Sequence, residues 1–137
     1  DEKRYFHEGK FPVRFSLKGA MLGITICEDI WEDSGPGKTL CGKGNVDLLL
    51  NISSSPFHKG KGKARKKMIQ QRARSYRSHI AYVNLVGGQD ELVFDGQSLV
   101  VDSKGTIMSQ GNSFKEELIC SDIVLNPKPQ KKLLRYL

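Results

Sequence analysis

Short apolar runs separated by polar, turn-forming segments predict a layered α/β domain. The runs are rich in β-branched and aliphatic residues, which is typical of buried strands. Two of them flank the turn sequence Asp-Ser-Lys-Gly at residues 102–105 and predict a hairpin. The predicted strands cover residues 21–26, 46–52, 81–86, 97–101, 106–109 and 118–125. We therefore expect a substantial sheet.

One amphipathic helix is predicted between the second and third strands, from about residue 61 to residue 79. Ile69, Ala73, Tyr76 and Ile80 recur at steps of four and three residues and form one apolar stripe. The cations of this segment are expected on the other faces.

Two glycine-bounded segments predict loops. Residues 35–44 can be compared with the phosphate-binding pattern G-x-x-x-x-G-K-[ST], but neither alignment fits. When the pattern starts at Gly37, Gly44 stands in place of Ser or Thr. When Gly37-Lys38-Thr39 forms its end, Glu32 stands in place of the first glycine. We expect a surface loop there. Residues 87–96 mix acids with apolar residues. This composition is compatible with the wall of a pocket, with a subunit contact and with an ordered surface loop.

Composition indicates one soluble globular domain. The chain has 137 residues, of which 38% are apolar and 27% charged. No apolar run approaches the roughly 20 residues of a membrane helix, and no signal peptide opens the chain, so we expect a cytoplasmic protein without membrane contact. The three cysteines form no C-x-x-C pair and the three histidines are scattered, so no metal site is predicted.

The net charge of +7 is concentrated in one segment. Nine cations and no acid lie between Lys59 and Arg77. Such a run can neutralise nucleic-acid phosphates, but it lacks interleaved aromatic residues apart from Tyr76. Charge on the outer face of a helix is usually solvated, so nucleic-acid binding is not expected.

Cys27 ends an apolar strand and is followed by acids in the sequence GITICEDIW. A turn from a strand into a helix presents a nucleophile well, and the next backbone N–H groups can hold an oxyanion. Free cysteine is also among the most buried and least reactive residues, and no histidine nearby supplies a base. Local chemistry alone leaves both interpretations open and favours the inert one.

Four stretches occur in order: DEKRYF, GITICEDIW, NISSSPFHKGK followed by the basic helix, and YVNLVGGQDELVFDGQS. This series resembles the carbon–nitrogen hydrolase (nitrilase) superfamily, and within it the glutaminase domains of glutamine-dependent NAD synthetases. The resemblance implies an α-β-β-α sandwich, of which residues 1–126 would be the C-terminal part and residues 127–137 a basic linker or tail. It also implies that the N-terminal portion of the domain lies outside this chain.

The resemblance also implies the chemistry. Cys27 would be the nucleophile that forms a thioester, the backbone N–H of Glu28 would belong to the oxyanion hole, and Glu2 would match a second, positioning glutamate. Ser55 and Lys61 match contacts to the glutamine substrate. The catalytic lysine and the general-base glutamate of the family would lie upstream, outside the chain, so we expect the isolated chain to be inactive.

The implied partners are glutamine, an ATP-dependent NAD synthetase domain that uses the released ammonia to amidate deamido-NAD, and other copies of the protein in a homo-oligomer. The glutaminase step would need no cofactor, whereas ATP and magnesium would act in the synthetase domain. Two alternatives stay open: another nitrilase-type amidase, and a non-catalytic module that serves oligomer contacts or binds nucleic acid through its basic segment.

Overall fold

The structure is a computed structural model that describes residues 4–7, 9–42 and 45–125. Its centre is a six-stranded mixed sheet. From one edge to the other, the strands are β1 (Arg14–Leu17), β2 (Ala20–Ile26), β3 (Leu48–Ser53), β4 (His79–Asn84), β7 (Leu99–Val101) and β8 (Ile107–Gln110). Strands β2, β3 and β4 run parallel, and the other pairings are antiparallel. A separate hairpin is formed by β5 (Val86–Gln89) and β6 (Leu92–Asp95).

Helices cover one face of the sheet. Helix α1 (Pro36–Cys41) packs on β2, and helix α2 (Lys61–Tyr76) packs on β4 and β7. The core between helices and sheet is aliphatic and aromatic; its fully buried members include Leu49, Ile69, Ile80 and Val101. Gly23 lets α1 approach β2, because a Cβ at that position would meet Leu40 and Leu49 at 3.3 Å. The predicted α/β class is confirmed.

Helix α2 differs from its prediction in two respects: where its C-terminal end lies and which residues form its buried stripe. It ends at Tyr76, where Arg77 takes a left-handed φ of +53° and its N–H bonds back to the carbonyls of Ala73 and Arg74. Ile80 therefore belongs to β4 and not to the helix. Arg65, expected among the solvated cations, is buried on the same stripe as Ile69.

Three other segments also differ from expectation. The predicted loop at residues 35–44 contains α1, because Pro36 starts the first turn well and Leu40 and Cys41 are buried. The predicted loop at residues 87–96 is largely the β5–β6 hairpin. No strand forms over residues 118–125, whereas β1, which was not among the predicted strands, pairs with β2. Residues 127–137 lie outside the described part of the chain.

Among residues 4–7, 9–42 and 45–125, nothing covers an apolar row on the second face of the sheet. Ile26, Ile52 and Val83 stand side by side in register on β2, β3 and β4. Their exposed fractions are 66%, 58% and 56%. Single exposed apolar residues are ordinary, but a contiguous row on a sheet is not. Within the described residues, this part of the sheet therefore has no covering layer.

Within the described residues, no helix is long and apolar enough to cross a membrane.

We expect the isolated chain to self-associate through this uncovered face. Ile52→Lys places a charge in the middle of the apolar row and should shift residues 1–137 toward smaller species in sedimentation velocity or light scattering. Gln71→Lys adds the same charge on the exposed side of α2 and serves as the matched control. A soluble monomer with one sharp thermal transition, formed by the unaltered chain, would contradict this prediction.

Candidate active site

Cys27 occupies a strained elbow at the end of β2. Its φ is +44°, a left-handed conformation that residues other than glycine adopt at a cost of about 1–2 kcal/mol. Ile26 before it is still extended, and a 3-10 helix from Cys27 to Ile30 follows immediately. Strain of this kind persists only where the surrounding structure holds it in place, and it is frequent at active sites.

Buried side chains hold the elbow from the core side. Asn51 on β3 is fully buried, and its amide donates to Thr25 Oγ1 at 2.9 Å and to the Cys27 carbonyl at 3.5 Å. Ser53 Oγ donates to Asn51 Oδ1 at 2.7 Å. These bonds satisfy the amide and fix the end of β2 relative to β3.

Arg72 on α2 holds the elbow from the helix side. Its guanidinium donates to the carbonyls of Ile30 at 2.9 Å and Trp31 at 2.6 Å, and it also pairs with Asp33 at 2.6 Å. The last carbonyls of a helix have no partner within the helix, so a cation that binds them stabilises its end. At the other end of the 3-10 helix, the Asp29 carboxylate accepts the N–H of Ile26 at 2.8 Å.

The parallel register brings several candidate residues to one edge of the sheet. Ile26, Ile52 and Val83 are aligned, and therefore Cys27, Ser53 and Asn84 follow at the carboxyl ends of three neighbouring strands. This edge is where ligands bind in sheets of this kind. Ser55 lies two residues beyond Ser53, is buried, and donates its backbone N–H to Asn84 Oδ1 at 2.8 Å.

Tyr82 lies on the covered face beside this edge. Burial raises the pKa of its phenol, while the nearby hydroxyls of Ser53 and Ser55 and the Arg65 guanidinium counteract that rise. Cys27 is close enough to add to the rise. Within the described residues the Tyr82 hydroxyl has no hydrogen-bond partner. A neutral phenol is therefore present near the thiol and the Ser55 loop.

Lys61 is the first residue of α2, and its side chain contacts the residue that follows the 3-10 helix. Its Nζ lies 4.3 Å from the centre of the Trp31 ring, and Trp31 directly follows the 3-10 helix. A cation over an indole face is attracted by the ring quadrupole. Cys27 and Ser55 thus follow the carboxyl ends of β2 and β3, and Lys61 contacts the residue that follows the 3-10 helix.

The two predicted glutamates differ in what the structure shows. The side chain of Glu28 is exposed, and its backbone N–H lies in the first turn of the 3-10 helix, where N–H groups lack partners within the helix. This position suits the proposed oxyanion role, which belongs to the backbone and not to the carboxylate. Glu2 lies outside the described residues.

Three important residues were not singled out from the sequence: Asn51, Arg65 and Arg72. Arg65 and Asp95 form an ion pair at 2.9 Å with side chains 1% and 0% exposed. The spacing of 65, 69 and 73 places Arg65 on the apolar stripe, and this signal could have revealed it. Nothing in the local sequence marks Asn51 or Arg72, because their partners are backbone carbonyls and residues distant in sequence.

The remaining cysteines are chemically distinct from Cys27. Cys41 is buried in the core, whereas Cys120 is exposed. Burial raises the pKa of the Cys41 thiol from 9.0 to about 11, against a smaller lowering by Ser78. Cys41 is thus a protonated core residue. Among the described residues, no group of three or more His, Cys, Asp and Glu side chains could hold a metal ion.

We expect Cys41 to make stability fall at alkaline pH. The unfolded chain releases the Cys41 proton near pH 9.0 and the folded chain keeps it to about pH 11, so unfolding becomes more favourable as pH rises between these values. Cys41→Ala should flatten the change in melting temperature between pH 9.0 and about pH 11, and Cys120→Ala should not. Equal slopes in both variants of the full-length protein would contradict the assignment.

We expect Arg72→Lys to loosen the elbow. Lysine keeps the charge but cannot bind two carbonyls with one planar group. In the full-length protein, the rate of Cys27 alkylation by iodoacetamide should change by about threefold or more, with a loss of about 1–2 kcal/mol of stability. Arg74→Lys, on the same helix with one bond to Lys104 O, is the matched control. If both variants alkylate Cys27 at the original rate, Arg72 does not hold the elbow.

Comparisons with known proteins identify relatives of the chain. The family model described as carbon-nitrogen hydrolase matches residues 1–127. The glutamine-dependent NAD(+) synthetase of Thermotoga maritima is 44% identical over 126 residues, which are 92% of this chain and 22% of that protein. The enzyme of the same name from Aquifex aeolicus is 37% identical over 98% of this chain and 24% of its own length. The chain thus spans about a quarter or less of these relatives.

Two solved structures show the same architecture. The glutamine-dependent NAD+ synthetase of Acinetobacter baumannii, in complex with ADP, superposes with a TM-score of 0.80 and 44% identity over 85% of this chain and 22% of that one. A mutant amidase from Nesterenkonia sp. AN1, with an acetamide moiety covalently added at its active-site cysteine, gives a TM-score of 0.71 and 25% identity over 81% and 41% of the two chains. The predicted nitrilase-type fold is thus confirmed, as one part of that fold, and the chain belongs to the carbon–nitrogen hydrolase family.

Proposed function

We propose that this chain is the nucleophile-bearing part of a glutaminase that releases ammonia from glutamine. The observation that carries the proposal is the conformation of Cys27, a left-handed elbow at the carboxyl end of a parallel strand with a helix start directly behind it. The amidase from Nesterenkonia sp. AN1, which carries a covalent acetamide group on its active-site cysteine, supports a covalent role for a cysteine in this fold.

The proposed chemistry has two halves. A carboxylate outside the chain takes the Cys27 proton, and the thiolate attacks the amide carbon of glutamine. The carbonyl oxygen becomes an oxyanion, which the backbone N–H of Glu28 stabilises while an upstream lysine assists. The C–N bond breaks, the leaving nitrogen takes the proton and departs as ammonia, and a thioester remains. Water then attacks the thioester and releases glutamate and the free thiol.

Ser55 and Lys61 are proposed to hold the amino-acid end of glutamine. The ammonium of Lys61 suits the substrate carboxylate as a point charge, although it lacks the two-pronged grip of arginine. Ser55 is held by Asn84 at the same edge of the sheet as Cys27. Glu2 is proposed as a positioning glutamate on the basis of the resemblance alone.

The wider role is proposed from the relatives, which are named glutamine-dependent NAD(+) synthetases. In the complete protein an ATP-dependent domain would use the ammonia to amidate deamido-NAD, and ATP and magnesium would act there. We further propose residues 1–126 as part of the glutaminase domain and residues 127–137 as a linker, a homo-oligomeric assembly, and a cytoplasmic location.

Another nitrilase-type amidase is the second candidate, because an amidase shares the fold with a TM-score of 0.71. A substrate panel on the full-length protein that compares glutamine with short aliphatic amides separates the two activities. The basic binding module is less well supported. Several cations of the run have partners inside the molecule: Arg65 pairs with Asp95, Arg72 donates to two carbonyls, Arg74 donates to the carbonyl of Lys104, and Lys61 lies over the Trp31 ring.

We expect Cys27→Ala to abolish glutamine hydrolysis by the full-length protein, with a loss of about 10³-fold or more measured as ammonia release. Cys41→Ala is the matched control and should retain the activity, because Cys41 is a core residue. The isolated chain should show no turnover, since the proposed base and lysine lie outside it. Turnover by residues 1–137 that Cys27→Ala removes would refute this last statement.

A further inference from the structure

The segment Asp95-Gly96-Gln97 joins the two proposed substrate-binding residues. Ser55 and Lys61 belong to different elements, a loop after β3 and the first turn of α2. Their relative position must be fixed for both to grip one small substrate. The structure assigns that task to Asp95, as a positioning residue, and this inference rests on the proposed function.

Asp95 reaches Ser55 through Asn84. The Asn84 amide donates to Gly96 O at 3.0 Å and to Asp95 Oδ1 at 3.4 Å, which leaves its own Oδ1 to accept the Ser55 N–H at 2.8 Å. The orientation of the Asn84 amide is therefore set by the residues of this segment. A reversed amide would face the Ser55 N–H with a donor, so the loop depends on this orientation.

Asp95 reaches α2 through Arg65. The buried guanidinium nitrogen Nη2 donates to both carboxylate oxygens at 2.9 Å and to Gly96 O at 3.2 Å. Arg65 stands one helical turn after Lys61 on the same helix. A buried ion pair holds its geometry closely, because either partner alone would be an uncompensated charge in the interior.

Gln97 makes a second connection to the start of α2. Its amide donates to Asp95 Oδ2 at 2.7 Å. It also lies against Gly62, where an added Cβ would come within 2.8 Å of the amide nitrogen. The segment is itself fixed in place, because the N–H of Gly96 donates to Leu85 O at 2.9 Å. The φ of Gly96 is +64°, a conformation that suits glycine.

These contacts form one continuous path from Ser55 to Asn84, Asp95, Arg65 and the first turn of α2. The path involves neither the sulfur of Cys27 nor the elbow bonds of Asn51 and Arg72. Disturbing it should weaken glutamine binding while leaving the intrinsic reactivity of the thiol intact. Weaker glutamine binding at unchanged thiol reactivity therefore distinguishes a positioning role from a general loss of stability.

The experiment uses the full-length protein. Asp95→Asn should raise the KM for glutamine about tenfold, with kcat and the rate of Cys27 alkylation by iodoacetamide within about threefold of the original. Gln97→Ala leaves the ion pair intact and should raise KM about threefold. Asp102→Asn is the matched control: Asp102 holds the β7–β8 turn through the N–H groups of Lys104 and Thr106 and should leave KM unchanged.

A double variant guards against simple unfolding. Arg65→Met with Asp95→Leu replaces the ion pair by apolar side chains, which commonly restores stability. The melting temperature should then recover while KM stays raised, because Asn84 and Gln97 still lack their carboxylate. If KM recovers together with the melting temperature, or if Asp95→Asn and Gln97→Ala leave KM unchanged, the inference is overturned. Failure of the unaltered protein to hydrolyse glutamine would instead refute the proposed function.

Discussion

The parallel alignment of β2, β3 and β4 is the constraint on which the candidate site depends. Adjacent parallel strands end at the same edge, so the residues that follow Ile26, Ile52 and Val83 meet there without any local signal that links them. A shift of one residue in any pairing would turn the side chains that follow to the other face. The apolar interior of the three strands therefore determines where the thiol is presented.

Around that edge the protein buries an unusual amount of polarity. Asn51, Thr25, Asp95 and Arg65 are almost completely shielded from water, yet most of their polar atoms are paired. One exception is Arg65 Nη1, which has no partner within the described residues. Buried polar networks contribute little net stability but permit few alternative arrangements. The network thus serves geometry more than stability.

The sequence predicted the elements with regular patterns and missed those defined by tertiary contacts. The ends of strands β2, β3 and β4 and of the hairpin of β7 and β8 were predicted to within two residues, because their apolar runs and turns are local signals. Helix α1 was missed, because its glycines suggested a loop while Leu40 and Cys41 supply the buried face. The hairpin of β5 and β6 was missed because its glycines and its mixture of acids with apolar residues indicated a loop.

The site was predicted by resemblance and not by local chemistry. The environment of Cys27 in sequence favoured an inert thiol, and only the order of four motifs suggested a nucleophile. What no single sequence could supply was the set of supports behind it. The partners of Arg72 lie about forty positions away, and those of Arg65 about thirty, so their roles arise only from the fold.

The strained elbow also has a consequence for the order of folding. The elbow is supported by Asn51 on β3 and by Arg72 on α2. These two contacts join residues that are 24 and 42 positions apart in the chain. Such non-local contacts form after local turns, because the chain must first lose the entropy of the intervening loop. Cys27 can hold its left-handed conformation only once β2, β3 and α2 have docked. The thiol geometry therefore depends on the docked elements, and an incompletely folded chain carries an ordinary cysteine instead of an elbow.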